Sequence, residues 1–153
     1  MKKVLVGGCF DLLHEGHIIF LKKAKEAGNY LIVLLESDEK IRKLKGKGRP
    51  IQSQKIRAKA LEELGFVDQV IPLPFMETEI EYDDLVKKIK PDVIAVTEGY
   101  TDDAFHKRSA DLVGAELKYV SKVVGDYSTS RLLSKQSILI FKLCLVIYLL
   151  LQL

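Results

Sequence analysis

Lys3-Val4-Leu5-Val6-Gly7-Gly8-Cys9-Phe10-Asp11-Leu12-Leu13-His14-Glu15-Gly16-His17 is the stretch on which the reading of this chain turns. Its apolar run, Lys3 to Val6, stops at a glycine pair. From Gly16 to Ala27, Ile18, Ile19, Leu21 and Ala24 then recur at helical spacing, with Gly28-Asn29 as a stop. This is a strand, a glycine-bearing loop and a helix. Glycines let backbone approach a ligand closely, and a helix N-terminus presents free N–H groups and the positive end of its dipole. The segment is therefore built to receive a phosphate.

The same alternation continues along the chain. Tyr30 to Leu35 is continuously apolar, as expected of a parallel strand covered on both faces. The polar segment Glu36 to Gln52 reads as a loop, and Ser53 offers an N-cap for a helix through Leu64 closed by Gly65. Val67 to Ile71, Asp92 to Val96 and Glu116 to Val120 read as strands. Tyr82 to Ile89, Asp102 to Val113 and a segment from about Ser128 read as helices. Strands alternating with helices predict an α/β domain, Rossmann-like, with three α/β/α layers and a five-stranded, mainly parallel sheet. Its ligands would lie beyond the carboxyl ends of the strands.

Composition narrows the class. The chain has 153 residues and a formal charge of +3, from 24 basic and 21 acidic residues, so no global field draws it to nucleic acid. Cys9 and Cys144 are far apart and form no zinc pattern, as suits a reducing, cytoplasmic setting. The apolar run after Met1 is too short for a signal peptide. Residues 1–135 are expected to form the domain and 136–153 a hydrophobic tail. From Ile138 to Leu153 only Lys142 and Gln152 are polar. As a helix that segment would reach ~24 Å, short of the ~30 Å hydrocarbon core. Self-association or a peripheral membrane contact is expected to cover it.

His14 and His17 are three positions apart at a helix start, so both imidazoles can face the group cradled by the loop. Half of a metal site is the competing explanation; only His106 remains as a further histidine, and no cysteine pair supports one. Six basic residues fall between Lys40 and Arg49, without the interleaved aromatics of a nucleic-acid stacking platform. A solvated basic face is the alternative there.

The run Gly8-Cys9-Phe10-Asp11-Leu12-Leu13-His14-Glu15-Gly16-His17 resembles the His-x-Gly-His signature of the cytidylyltransferase-like nucleotidyltransferases, over about residues 3 to 135. Three later segments are similar to family motifs in the same order. Ser37-Asp38-Glu39 with Lys43, Lys45 and Gly46 resembles a lysine-bearing loop over the triphosphate. Arg57 stands where the family has a phosphate-binding arginine, with an ordinary surface salt bridge as the alternative. Tyr127-Ser128-Thr129-Ser130 resembles the Ser-Thr-Ser/Thr start of the last helix, where a plain N-cap is the alternative.

The resemblance implies transfer of a nucleoside monophosphate from a nucleoside triphosphate to a phosphorylated small molecule, with release of pyrophosphate. It implies catalytic roles for His14, His17, Lys45, Arg57 and Thr129. Nucleotide binding would fall to Gly8, Cys9, Phe10, Asp11, His14, His17, Lys43, Tyr127, Ser128, Thr129 and Ser130. Mg²⁺ would arrive with the nucleotide, with no protein ligand assigned, and the partners would be ATP or CTP and the acceptor, in a homodimer that binds no nucleic acid.

Leu44-Lys45-Gly46-Lys47-Gly48-Arg49-Pro50-Ile51 resembles heptose-1-phosphate adenylyltransferases more than cytidylyltransferases, which favours ATP. Where heptose-type relatives have Gly-Gly-Asp-Tyr-Thr, this chain has Thr97-Glu98-Gly99-Tyr100-Thr101, and Val123-Val124-Gly125-Asp126-Tyr127 lacks an arginine that several relatives carry. These departures leave base and acceptor open between adenylyl transfer and cytidylyl transfer to a glycerol or amino-alcohol phosphate. A nucleotide sensor without turnover would not need both histidines.

Overall fold

A computed structural model describes residues 1–99 and 103–122. Its elements run β1 (Lys3–Gly8), α1 (Glu15–Glu26), β2 (Tyr30–Leu35), α2 (Asp38–Lys45), α3 (Gln54–Glu62), β3 (Gln69–Pro72), α4 (Glu79–Ile89), β4 (Val93–Glu98), α5 (Asp103–Val113) and β5 (Glu116–Lys122). The five strands form one sheet in the order β3-β2-β1-β4-β5. Every neighbouring pair is parallel.

The continuous apolar strands serve two cores. Val4, Val6, Leu31, Val33 and Leu35 face one way, onto Leu21 and Ala24 of α1 and Ala58 and Leu61 of α3. Leu5, Ile32, Leu34, Ile94 and Val96 face the other way, onto Val86 of α4 and Ala110 of α5. Alternate side chains of a strand point to opposite faces, so a sheet covered on both sides needs apolar residues at every position. The expected three layers follow.

The chain passes from β1 outward through β2 to β3, then returns across the sheet to β4 on the other side of β1. That reversal opens a crevice at the carboxyl ends of β1 and β4, the position where open α/β sheets bind ligands. The glycine pair of β1 ends there.

One segment departs from the sequence reading. Residues 38–45, expected within a loop, form helix α2. Ser37 caps it by accepting a hydrogen bond from the Lys40 N–H at 3.1 Å. Asp38 and Glu39 occupy the first turn and Arg42, Lys43 and Lys45 the last, matching the helix dipole, and Gly46 at φ 86° ends it. Only Ile41 is buried, so no apolar stripe marked the helix. α4 also starts earlier than expected, at Glu79, because the Glu81 carboxylate accepts from the N–H groups of Glu77 and Thr78, each at 2.9 Å. The helix expected near Ser128, the 135/136 boundary and the tail lie outside the described residues.

Candidate active site

The loop after β1 is held in a conformation that its residues do not favour. Phe10 and Leu12 have φ of 45° and 56°, in the left-handed region that costs an L-residue roughly 1–2 kcal/mol. Phe10 is repaid by burial, and its ring meets that of His17 edge-on, with centroids 5.3 Å apart. A Cβ on Gly8 would stand 2.9 Å from the Phe10 ring, so any side chain there would displace that ring. Gly7 is different. It is exposed, and a Cβ on it would meet nothing within 4 Å, which leaves the end of β1 open to an incoming ligand.

Asp11 anchors the loop. Its carboxylate is 1% exposed and accepts from Arg49 Nε at 2.9 Å, from the Ile51 N–H at 2.9 Å and from the Gln52 N–H at 3.0 Å. Burial alone would raise its pKa, but the Ile51 and Gln52 N–H groups and Arg49 together hold it below the usual range. Asp11 thus faces inward and ties residues 49–52 to the β1–α1 loop.

Arg57, expected to face a phosphate, is instead wholly buried. Its Nε donates to Gln52 O at 3.0 Å, one terminal nitrogen to Cys9 O at 2.5 Å, and the other to Glu36 O at 2.9 Å and Asp38 Oδ1 at 2.7 Å. The planar guanidinium gathers the ends of β1 and β2, the start of α2 and the approach to α3. Few other side chains satisfy several carbonyls from one plane. In this arrangement its donors are committed to the protein.

His14 and His17 do come together. His14 is the N-cap of α1, its Nδ1 accepting from the His17 N–H at 3.4 Å, which leaves the proton of the neutral ring on Nε2. The two rings stack with centroids 3.7 Å apart and planes 20° from parallel. Burial, then the neighbouring His14 and Lys45, push the His17 pKa down to about 3, and burial lowers that of His14. Both rings are therefore neutral in the free protein near pH 7. The buried Nδ1 of His17 has no hydrogen-bond partner among the described residues. Lys45, exposed at the end of α2, acts electrostatically on both His17 and Cys9. Burial raises the Cys9 thiol pKa, which argues against a nucleophilic role.

Lys43 points elsewhere, pairing with Glu77 at 3.1 Å and lying 5.5 Å over the Phe75 ring. Tyr127, Ser128, Thr129 and Ser130 lie outside the described residues. Glu36 and Tyr82 were not anticipated. Glu36 directly follows β2, and its half-buried carboxylate accepts the Tyr82 hydroxyl at 2.9 and 3.2 Å. Burial raises its pKa, against the opposing Tyr82 hydrogen bond and the Lys40 charge. As the first polar residue after a buried strand, Glu36 could have been read as lying at the ligand-binding end. Its partner, 46 residues away, could not.

Residues 5–140 match the profile of the family described as cytidylyltransferase-like. The FAD synthase of Pyrococcus abyssi is 48% identical over 94 residues, covering 61% of each chain. The bifunctional protein HldE of Helicobacter pylori strain J99 is 37% identical over 137 residues, 88% of this chain and 27% of that protein. HldE of Campylobacter curvus is 48% identical over 93 residues, 61% of this chain and 19% of that one. The chain thus spans about a fifth to a quarter of these HldE proteins. Among solved structures, a lipopolysaccharide core biosynthesis protein of Thermoplasma volcanium superposes with a TM-score of 0.63 at 31% identity, covering 80% of this chain and 95% of that one.

Proposed function

The chain belongs to the cytidylyltransferase-like family of nucleotidyltransferases, and from that premise we propose that it transfers AMP, in preference to CMP, from a nucleoside triphosphate to a phosphorylated small molecule. The observation that carries this reading is the stacked His14–His17 pair, on the loop and helix that follow the exposed Gly7 and within the field of Lys45. A neutral imidazole pair suits charge that appears only when phosphates bind.

In the proposed reaction an oxygen of the acceptor phosphate attacks the α-phosphorus. The bond from that phosphorus to the bridging oxygen breaks on the opposite side, and pyrophosphate leaves with its electron pair. Two anions must be aligned against their repulsion, so positioning and charge neutralisation are the protein's work. His14 and His17 donate to the non-bridging oxygens as charge builds there, with Lys45 following the triphosphate. Tyr127, Ser128, Thr129 and Ser130 are proposed for the departing phosphates, and Lys43 would join them only by leaving Glu77. Arg57 and Asp11 hold the strand ends and the loop around them.

Mg²⁺ would neutralise phosphate charge during transfer. The donor set fits an ion carried in on phosphate oxygens, since Asp11 is spent on Arg49 and backbone, and no group of three or more His, Cys, Asp or Glu that could hold a metal occurs among the described residues. The preference for ATP rests on the likeness of residues 44–51 to adenylyl-transferring relatives and on a relative named for making FAD, an adenine dinucleotide.

Self-association of the chain and a peripheral membrane contact of the tail belong to the same proposal. Among the described residues no helix is long and apolar enough to cross a membrane. The test of the function is pyrophosphate release that requires both a nucleoside triphosphate and a phosphorylated acceptor.

A further inference from the structure

Glu36 stands beside the phosphate loop, with its backbone N–H on Gly8 O at 3.1 Å. Its carboxylate is half-buried yet not fully spent. The Tyr82 hydroxyl donates to it, and the backbone of Ser37 contributes a further hydrogen bond. A carboxylate offers about four acceptor positions, so part of its capacity remains. The nearby cations act on it through their charge but place their hydrogen bonds elsewhere: Arg57 takes the Glu36 carbonyl and Asp38, and the Lys40 ammonium donates to Met76 O at 2.8 Å.

The surroundings limit what such a carboxylate can receive. It repels a phosphate, which is drawn instead to His14, His17 and Lys45. A neutral hydroxyl on the rest of the acceptor would meet neither repulsion nor a desolvation cost left unmatched. Aromatic surface stands beside it: Tyr82 meets Phe105 edge-on at 5.7 Å, and the Lys40 ammonium lies 5.5 Å from the Tyr82 ring and 6.0 Å from that of Phe75.

We propose that Glu36, oriented by Tyr82, accepts a hydrogen bond from a hydroxyl on the body of the acceptor and thereby selects polyhydroxylated phosphate esters. Glu36 is then a specificity residue and Tyr82 a positioning residue. The inference rests on the nucleotidyl-transfer reading, because that reading supplies the phosphorylated acceptor. A purely structural role, tying α4 to the end of β2, is the competing account.

The test titrates the full chain calorimetrically with ribose 5-phosphate, glycerol 3-phosphate, flavin mononucleotide and the hydroxyl-free propyl phosphate, and measures pyrophosphate release with the same probes. At least one hydroxylated probe should bind better than propyl phosphate. Glu36→Gln should weaken that probe roughly tenfold or more, as expected for losing a hydrogen bond to a charged acceptor, while leaving nucleotide affinity within about twofold. Tyr82→Phe should weaken it less, in the same direction, with far-ultraviolet circular dichroism unchanged.

Glu36-dependent binding of a hydroxylated probe without pyrophosphate release would support this inference while removing the transferase reading. Turnover with acceptor affinity indifferent to Glu36→Gln would do the reverse. No preference for hydroxylated probes over propyl phosphate would overturn the inference.

Discussion

The imidazoles of His14 and His17 stack 3.7 Å apart while the Nδ1 of His14 accepts the His17 N–H, so one ring caps the helix and helps to bury the other. The two duties of His14 can be separated. His14→Asn keeps a capping side chain, whereas His14→Ala loses about 1 kcal/mol of cap. Both variants, and His17→Ala, should lose roughly 100-fold in turnover, the usual cost of one transition-state donor. Steady-state pyrophosphate release checks this, and near wild-type rates in His14→Asn would reduce His14 to a cap.

The depressed pKa of His17 makes stability depend on pH with a definite sign. A base whose folded pKa, about 3, lies below its unfolded value of about 6.5 binds fewer protons when folded, so stability is lost as pH falls through 6.5. Between pH 7.5 and 5 the loss from His17 is about 2 kcal/mol, on the order of 1.36 kcal/mol per unit. His14 adds to it in the same direction. Urea denaturation at the two pH values should show a smaller drop in His17→Gln than in the wild type. Equal drops would mean that His17 is not desolvated as described.

Bound phosphates should reverse that balance, because negative charge beside the rings favours the imidazolium. Nucleotide binding near pH 6 is expected to take up protons. Calorimetry in buffers of different ionisation enthalpy measures the uptake, and none in the wild type would place the phosphates away from the histidines.

Asp11 and Arg57 should behave as structural members and Lys45 as a ligand contact. Asp11→Ala removes the carboxylate of a nearly buried ion pair and the acceptor of the Ile51 and Gln52 N–H groups, and should cost about 3–5 kcal/mol of stability. Arg57→Ala leaves three carbonyls and Asp38 without their donor and should also lower the thermal midpoint markedly. Lys45→Ala, exposed, should raise the nucleotide KM with the midpoint unchanged. An Arg57→Ala protein of native stability with only a raised nucleotide KM would restore the phosphate-facing role.

How much of this was legible in the sequence depends on whether the deciding interaction is local. β2, Tyr30–Leu35, has the boundaries its apolar run predicts, because burial on both faces leaves an unbroken signal. α2 was missed because its stability comes from the Ser37 cap and charge placement around a single buried residue, Ile41. The histidine pair was visible because three positions on a helix suffice to align two rings. The inward turn of Arg57 was not, because it is decided by Cys9, Glu36 and Gln52, which the fold brings together from separate elements.

The most direct measurement is pyrophosphate release by the full chain with Mg²⁺ and either ATP or CTP, in the presence and absence of sugar phosphates, polyol phosphates and flavin mononucleotide. The account predicts release with ATP that requires one of these acceptors and falls roughly 100-fold in His17→Ala. Release with CTP alone would overturn the choice of nucleotide and keep the reaction class, whereas no release with any pair would contradict the central claim.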